Sequence, residues 1–286
     1  MVRPLTVAVT TKDREGHLAV LLTCLLLQTY EHFDIQINNN GEEFETGAVL
    51  DLIELHRNKR EVKVISTKGL GIATARQKEL ENLSTKYALR IEDDIVMEND
   101  YLMNMMGEKR EDATVWFSRV DNNVRVNPQG EPIDKTPPPL LDAVPDYTQD
   151  FDLEEQRSFA HFRYSFTCPV EVNYTTGVFF FEVEPYRQMV KYDKFFDDYV
   201  FLEDTDVNYG VVFNGGKIYF HPSQLLYHCC CQGGYKRRFE DWVMKGTFAY
   251  LRLKVAMAEV EGKYEPLGIV LREEDGKVYF DWEGED

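Results

Sequence analysis

Residues 62–96 read VKVISTKGLGIATARQKELENLSTKYALRIEDDIV, and this stretch carries the clearest evidence for the fold class. Val62–Ile65 and Tyr87–Ile91 are short, mostly apolar runs of strand length, and Gly69–Leu83 between them is a glycine-led turn that continues as a helix. A strand, a helix and a second strand in this order are typical of a right-handed crossover between parallel strands. The stretch therefore predicts a βαβ unit whose second strand stops at three consecutive acids, Glu92-Asp93-Asp94.

The same alternation extends back toward the N-terminus. Leu5–Val9 and Phe33–Ile37 are predicted strands. Residues 18–29, which are apolar on nearly every side, and residues 47–57, with apolar residues at helical spacing, are predicted helices. Strands thus alternate with helices through about residue 95. This predicts an α/β protein with a mainly parallel sheet flanked by helices.

Polar side chains cluster where predicted strands end, at residues 10–14, 38–41 and 92–94. Ligands of such sheets bind at the carboxyl ends of the strands. Glu92 and Asp94 project to the same side of an extended chain, so both carboxylates can face one cation while Asp93 points away. Mn²⁺ or Mg²⁺ would relieve their mutual repulsion. A solvated acidic turn is the alternative, since the chain has 50 acidic residues.

Two further segments carry side chains suited to catalysis or metal binding. Glu203 and Asp204 follow the apolar pair Phe201-Leu202, where a carboxylate can act as general base toward a hydroxyl. Acids that favour the dipole at a helix N-terminus are the alternative. His228 follows the predicted strand Leu225-Leu226-Tyr227, and it can complete a carboxylate metal site or simply be hydrogen-bonded.

The glycine-led turn before the helix of the βαβ unit can bring a phosphate close to backbone N–H groups. Arg76 lies about one turn into that helix and can neutralise a diphosphate. Residues 69–76 do not form a Walker loop, because no Gly-Lys-Ser/Thr follows, and they do not match a Rossmann fingerprint.

The middle of the chain has a different composition. Residues 121–158 are rich in acids and contain a Pro-Pro-Pro run at 137–139, which predicts a long loop or lid. Strand-like runs return at Val178–Val183 and Lys217–Phe220. Residues 235–260 predict a helix, and residues 269–282 predict a hairpin around Asp275-Gly276. We therefore predict a main domain, followed by a C-terminal helix and β-hairpin appendage at 235–286.

Composition limits the class of protein. Hydrophobic residues make up 43% of the 286 residues, which indicates a globular core rather than disorder. The net charge of −18 repels phosphate backbones and anionic lipid, so a general nucleic-acid binder is disfavoured.

The cysteines and the first residues of the chain indicate the cellular compartment in which we expect the protein. Cys229, Cys230 and Cys231 are adjacent, which suits neither a disulfide framework nor a CxxC zinc site. The first residues do not resemble a signal peptide, and the longest apolar stretch, residues 18–27, is shorter than a membrane span. These features predict a soluble, cytoplasmic protein with reduced thiols.

In their order along the chain, these motifs resemble those of the family 2 glycosyltransferases with the GT-A fold, which is Rossmann-like. The resemblance covers roughly residues 5–250. The matching segments are Val7–Arg14, Leu25–Tyr30, Ile37–Gly41, Gly71 with Ala75 and Arg76, Glu92–Asp94 in place of Asp-x-Asp, Thr176–Phe179, Glu203–Asp206 in place of Glu-Asp-x-Asp, Gly216–Tyr219 and His228.

The resemblance implies an inverting, metal-dependent transferase that works by direct displacement. Asp204 would be the catalytic base, with Glu203 the less favoured candidate. Asp94 and His228 would hold Mn²⁺ or Mg²⁺, with Glu92 on the metal or on the donor ribose. The metal would neutralise the departing diphosphate.

Binding sites also follow from the resemblance. The main domain, residues 1–234, would divide into a nucleotide-binding half, 1–100, and an acceptor half, 101–234, that includes the loop 121–158. The implied residues for the nucleotide-diphosphate sugar are Thr10, Thr11, Asp13, Arg14, Asn39, Asn40, Gly71, Arg76, Glu92 and Asp93. The acceptor would contact Thr176 and Gly177.

Two departures from the family pattern leave the donor open. The turn after the second strand usually carries aspartates, one of which contacts the base, whereas this chain has Asn38-Asn39-Asn40. The metal motif begins with Glu92 rather than with aspartate. The base of the nucleotide is therefore not predicted.

Several acceptors and two other functions stay open. The acceptor hydroxyl could belong to a glycan, a lipid-linked glycan or a hydroxymethylated base of viral DNA. Net charge disfavours DNA, yet a predicted basic helix, 236–254, could contact phosphates locally or simply balance the acidic surface. Its basic residues are Lys236, Arg237, Arg238, Lys245, Arg252 and Lys254. The alternatives are a nucleotidyltransferase and a non-catalytic nucleotide-sugar-binding module.

Overall fold

The computed structural model describes residues 3–45, 47–121, 169–198, 202–229, 241–274 and 277–282. The strands are β1 (Leu5–Thr11), β2 (Phe33–Asn39), β3 (Val62–Ser66), β4 (Tyr87–Glu92), β5 (Ile95–Met97), β6 (Val115–Asp121), β7 (Val170–Val172), β8 (Phe179–Glu182), β9 (Ile218–His228), β10 (Ile269–Glu274) and β11 (Lys277–Trp282). The helices are α1 (Glu15–Leu26), α2 (Gly47–Arg57), α3 (Ile72–Glu81), α4 (Tyr101–Gly107), α5 (Val183–Met189), α6 (Phe195–Asp198), α7 (Glu203–Phe213) and α8 (Asp241–Glu261).

A nine-stranded sheet forms the centre of the protein, with strand order β3-β2-β1-β4-β8-β6-β9-β5 and β7 paired to β9. The first four strands in that order are parallel, as the βαβ pattern predicts. Beyond β4 the sheet is mixed, because β8 runs antiparallel to both β4 and β6. The α/β prediction is confirmed, and the parallel character is confined to the N-terminal half and the β6–β9 pair.

The parallel strands lie inside the protein. The apolar side chains of β1, β2 and β4 are buried, as expected for parallel strands covered on both faces. Helix α1 buries Leu18, Leu21, Leu22 and Leu25 against this core. After α1, Gln28 fixes the next turn: its amide donates to Glu98 O at 2.7 Å and its oxygen accepts from Leu102 N at 3.0 Å. The packing of α1 and the hydrogen bonds of Gln28 therefore fix the position of α1 against the sheet and against the segment after β5.

The predicted C-terminal helix and hairpin are both present. Helix α8 buries Val243, Tyr250 and Leu251, and the hairpin buries Ile269 and Leu271 in the same apolar cluster. No helix in the described ranges is long and apolar enough to cross a membrane.

The predicted basic surface of the C-terminal helix needs a correction. Lys254 is 2% exposed and is paired with Asp193 and Asp206, so it cannot contact a phosphate at the surface. Its apolar neighbours on the helix turn it inward. Lys245 and Arg252 are exposed, while Lys236, Arg237 and Arg238 lie outside the described residues. Residues 122–158 of the predicted loop 121–158 also lie outside them, as do Cys230 and Cys231, whereas Asp121 ends β6.

The buried His56 of α2 predicts a pH-dependent loss of stability. Its Nε2 lies 2.9 Å from Leu22 O, the side chain is fully buried, and burial lowers its pKa from 6.5 to about 4. The unfolded chain therefore binds a proton near pH 6.5 that the folded protein binds only near pH 4. The contribution of neutral His56 to the free energy of unfolding is complete above pH 6.5. That free energy falls by up to about 3 kcal/mol as the pH drops toward 4.

Urea unfolding between pH 7.5 and 5 measures this effect. In His56→Met, the free energy of unfolding should fall less with decreasing pH than in the wild type. In the variant of an exposed histidine, His32→Gln, it should fall as in the wild type. Equal slopes for His56→Met and the wild type would contradict the prediction.

Candidate active site

Glu92, Asp94 and His228 converge at one edge of the sheet. One ligand atom from each lies within 4.8 Å of the other two, and His228 Nε2 is 3.3 Å from Glu92 Oε2 and 3.2 Å from Asp94 Oδ1. The register explains the convergence, because β5 places Ile95 opposite His228 on β9. Two carboxylates and an imidazole suit Mn²⁺ or Mg²⁺. The residues thus fit the divalent ion that the sequence predicts.

The electrostatics of this cluster favour a cation. Burial alone lowers the pKa of His228, but the hydrogen bond to Asp94 and the charges of Glu92 and Asp94 raise it above its ordinary value. Asp94 is 4% exposed, so its negative charge is largely removed from water. Arg14 and His228 are partners of that charge in the structure, and a divalent ion would stabilise it further.

Asp93 takes no part in the cluster and binds the turn after β1. Thr11 Oγ1 donates to Asp93 Oδ2 at 2.6 Å, and Arg14 Nε donates to the same oxygen at 3.2 Å. Burial raises the pKa of Asp93 to about 6, although the Thr11 hydrogen bond and the Arg14 charge lower it. Arg14 also reaches Asp94 Oδ2 at 3.2 Å. Arg14 therefore links the β1 turn to the candidate metal-binding cluster of Glu92, Asp94 and His228.

The polar clusters predicted at the strand ends do lie side by side. Thr11 pairs with Asn39 in the β1–β2 register, and Thr10 pairs with Glu92 in the β1–β4 register. Thr10 Oγ1 donates to the buried Glu79 of α3 at 2.9 Å. One sheet edge therefore carries three of the predicted donor-binding segments.

The asparagine turn is held by its own side chains. Asn39 Nδ2 donates to Glu42 O at 2.6 Å, and Asn40 Nδ2 donates to Thr67 O at 2.6 Å. Asp13 Oδ1 accepts from Glu42 N at 3.0 Å, which ties the β1 turn to this one. A cavity of about 790 Å³ opens beside Asn39. The turn shares this cavity with α2 and β3, and four glutamates, Glu42, Glu43, Glu45 and Glu54, are part of its lining.

The N-terminus of α3 does not offer the free amide groups that the sequence suggests. Asp197 Oδ1 accepts from Thr74 N at 2.9 Å, and its other oxygen accepts from the Thr74 hydroxyl. A Cβ atom at Gly71 would lie 2.2 Å from the Asp197 side chain. Gly71 therefore makes room for a carboxylate of α6, and the predicted phosphate contact at this helix end has a protein carboxylate in its place.

Arg76 faces the candidate base and not open solvent. It is 4% exposed, and its Nη1 lies 2.6 Å from Asp204 Oδ1 and 3.8 Å from Glu203 Oε1. Burial lowers its pKa, but Asp204 and Glu203 hold it well above the usual value, so the guanidinium stays charged. The sequence placed Arg76 on the donor diphosphate; in the structure it binds the carboxylates of the second acidic motif.

Gly177 lies between the two acidic motifs. A Cβ atom at this position would be 3.1 Å from Glu92 Oε1 and 3.5 Å from Asp204 Oδ2. These two oxygens are therefore no more than 6.6 Å apart, the sum of those distances. Thr176 lies beside them and donates from Oγ1 to Val178 O at 3.1 Å. The candidate metal-binding cluster, the candidate base and the predicted acceptor residues thus share one small region.

Sequence reasoning missed Asp193 and Asp197, which bind Lys254 and the start of α3. No local signal marks them, since each carboxylate meets a partner distant in sequence. It also missed the burial of Lys254, although the apolar residues around that lysine in α8 are a usable signal.

Comparisons with known proteins identify the family of this chain. Residues 6–186 match the profile of Glycosyl transferase family 2, which covers more than half of the chain. No curated protein sequence matches the chain.

Solved structures share the fold at low sequence identity. S. aureus TarS has a TM-score of 0.57 at 14% identity over 88% of this chain and 39% of its own. The mannosyltransferase PcManGT of Pyrobaculum calidifontis, in complex with GDP-Man and Mn²⁺, has a TM-score of 0.56 at 14% sequence identity. The match covers 92% of this chain and 66% of that protein. GalNAc-T7, with UDP, GalNAc and Mn²⁺, has a TM-score of 0.61 at 13% sequence identity. The match covers 90% of this chain and 50% of that protein.

The chain spans less than two thirds of the length of these three structures, so the likeness concerns their shared domain. Their fold is the GT-A fold that the sequence predicts. The profile match over residues 6–186 shows that the chain belongs to Glycosyl transferase family 2.

Proposed function

We propose that this chain moves a sugar from a nucleotide-diphosphate donor to an acceptor hydroxyl, with Mn²⁺ or Mg²⁺ held by Glu92, Asp94 and His228. The observation that carries the proposal is the closeness of Glu92 and Asp204, whose oxygens are at most 6.6 Å apart across Gly177. Because both carboxylates border the same small space, a hydroxyl beside Asp204 would lie close to a diphosphate held by a cation at Glu92.

Asp204 is the proposed base. Its Oδ1 is held by Arg76 while Oδ2 faces Gly177, so one oxygen is fixed and the other is directed toward the acceptor side. A single carboxylate that takes the acceptor proton fits direct displacement with inversion. Glu203 is less suited, since it is 6% exposed.

The bound cation would neutralise the charge that develops on the departing diphosphate. The chain's own residues orient the donor: Thr11, Asp93 and Arg14 fix the β1 turn, and Asn39 and Asn40 fix the turn beside the cavity. Related structures contain UDP-GlcNAc in TarS and GDP-Man with Mn²⁺ in PcManGT, which supports a nucleotide-diphosphate sugar as donor.

The acceptor class is a glycan, a lipid-linked glycan or a hydroxymethylated DNA base. Burial of Lys254 removes one of the cations that favoured contact with DNA phosphates, and the charge of −18 opposes such contact. The first two classes are therefore preferred. A cytoplasmic location stays a prediction.

A thermal-shift panel of nucleotide diphosphates and nucleotide sugars, each with Mn²⁺ or with EDTA, tests the donor site. The matching donor at about 100-fold above its Kd should raise the Tm by about 4–5 °C with Mn²⁺ only. Stabilisation that persists in EDTA would contradict the metal dependence. Binding without turnover toward any acceptor would favour the non-catalytic module.

A further inference from the structure

A buried ionic cluster lies behind the helix that carries Glu203 and Asp204. Lys254 of α8 places Nζ 3.0 Å from Asp193 Oδ2 and 2.6 Å from Asp206 Oδ1. Lys254, Asp193 and Asp206 are 2%, 4% and 2% exposed. One ammonium group thus joins the C-terminal helix to the segment before α6 and to the first turn of α7.

Two tyrosines complete the cluster. Tyr250 OH donates to Asp193 Oδ2 at 2.5 Å, and Tyr264 OH donates to Asp206 Oδ1 at 2.8 Å. Burial and the adjacent carboxylates raise the pKa of both phenols, so both stay protonated and donate. The Lys254 ammonium also lies 4.5 Å from the centre of the Tyr264 ring. Both carboxylates therefore have fixed partners on α8 and the segment after it.

Stability alone does not account for such a cluster. A buried ion pair is often no more stabilising than well-packed apolar residues of similar volume, because desolvation offsets the attraction. The cluster fixes the orientation of its side chains, because short charged hydrogen bonds hold the groups that they join in one geometry. Asp206 lies two residues after Asp204 on the same helical turn.

The backbone at the start of this turn is strained. Leu202 has φ 66° and ψ 17°, a left-handed conformation that is costly for a leucine. Asp206 N donates to Leu202 O at 3.0 Å, which ties the strained residue to the residue that Lys254 holds. Strain of this kind persists only where the surroundings determine it.

We propose that Lys254 is a positioning residue for the transfer reaction. Through Asp206 it holds the first turn of α7, and thereby keeps the Asp204 carboxylate directed at the space beside Gly177. The inference rests on the proposed function, since it presupposes that Asp204 acts on the acceptor.

Kinetics of Lys254→Met test the role. We expect kcat to fall about 10²-fold, as for a catalytic group displaced by about 1 Å, with the donor KM and Mn²⁺-dependent donor binding unchanged. Glu259→Gln, at an exposed charged position on the same helix, should keep wild-type kcat. Met105→Ala, a buried residue of α4, provides a comparable loss of Tm without touching the cluster. Wild-type kcat in folded Lys254→Met would overturn the proposal, and so would an equal loss in Met105→Ala.

If Lys254→Met does not fold, Tyr264→Phe provides a second test of the proposal. This variant removes one hydrogen bond to Asp206, and we expect a several-fold lower kcat at unchanged donor KM. Wild-type kcat in Tyr264→Phe would then overturn the proposal. A wild-type protein that binds donors yet transfers none would contradict the proposed function itself, and this inference with it.

Discussion

Asp204→Asn should lower kcat for sugar transfer about 10²- to 10⁴-fold while leaving Mn²⁺-dependent donor binding intact. Asparagine keeps the shape and can still accept the hydrogen bond from Arg76 through its oxygen, but it cannot take a proton from the acceptor hydroxyl. Donor binding should persist because Glu92, Asp94 and His228 lie on β4, the β4–β5 turn and β9, whereas Asp204 lies on α7. Single-turnover transfer and donor thermal shift, measured on the same preparation, separate the two effects.

Glu203→Gln is the matched variant for this test. It makes the same chemical change one residue away, at a side chain whose nearest oxygen is 3.8 Å from Arg76. We expect a much smaller loss of kcat than for Asp204→Asn. The reverse order would reassign the base to Glu203, and loss of donor binding in Asp204→Asn would mean that Asp204 acts on the donor.

The N-terminal half of the fold could be predicted because its signals are local. Apolar runs of strand length, helices between them and polar side chains at strand ends recur through residue 95, and the rule for parallel sheets places those polar side chains at one edge. Glu92 and Asp94 follow from the two-residue period of a strand. The insertion of β8 between β4 and β6 has no such signal, so the mixed half of the sheet was not predicted.

The contacts that shape the site depend on residues far apart in sequence. Asp197 meets Thr74 across 123 positions, and Arg76 meets Asp204 across 128. A glycine before a helix and an arginine one turn later are equally suited to a phosphate or to a carboxylate. Only the fold decides between these partners, and it supplies Asp197 and Asp204.

Asp94→Ala should weaken Mn²⁺ binding by more than about 100-fold and abolish metal-dependent donor binding, because it removes the most buried ligand. Asp94 is 4% exposed and touches both His228 and Arg14, whereas Glu92 is partly exposed. Titration of Mn²⁺ followed by electron paramagnetic resonance measures the free ion directly. Glu98→Ala, an exposed acid nearby, should bind Mn²⁺ like the wild type.

The same titration on His228→Gln distinguishes a metal cluster from a structural ion pair. If a cation holds the three side chains, His228→Gln should weaken Mn²⁺ binding less than Asp94→Ala, because it removes a neutral ligand and leaves both carboxylates. If Asp94 serves mainly to bind Arg14 and His228, both variants should lose thermal stability and neither should change the Mn²⁺ titration. In that case the charge on the leaving diphosphate would have to be met by Arg14, the cation that already lies against Asp93 and Asp94.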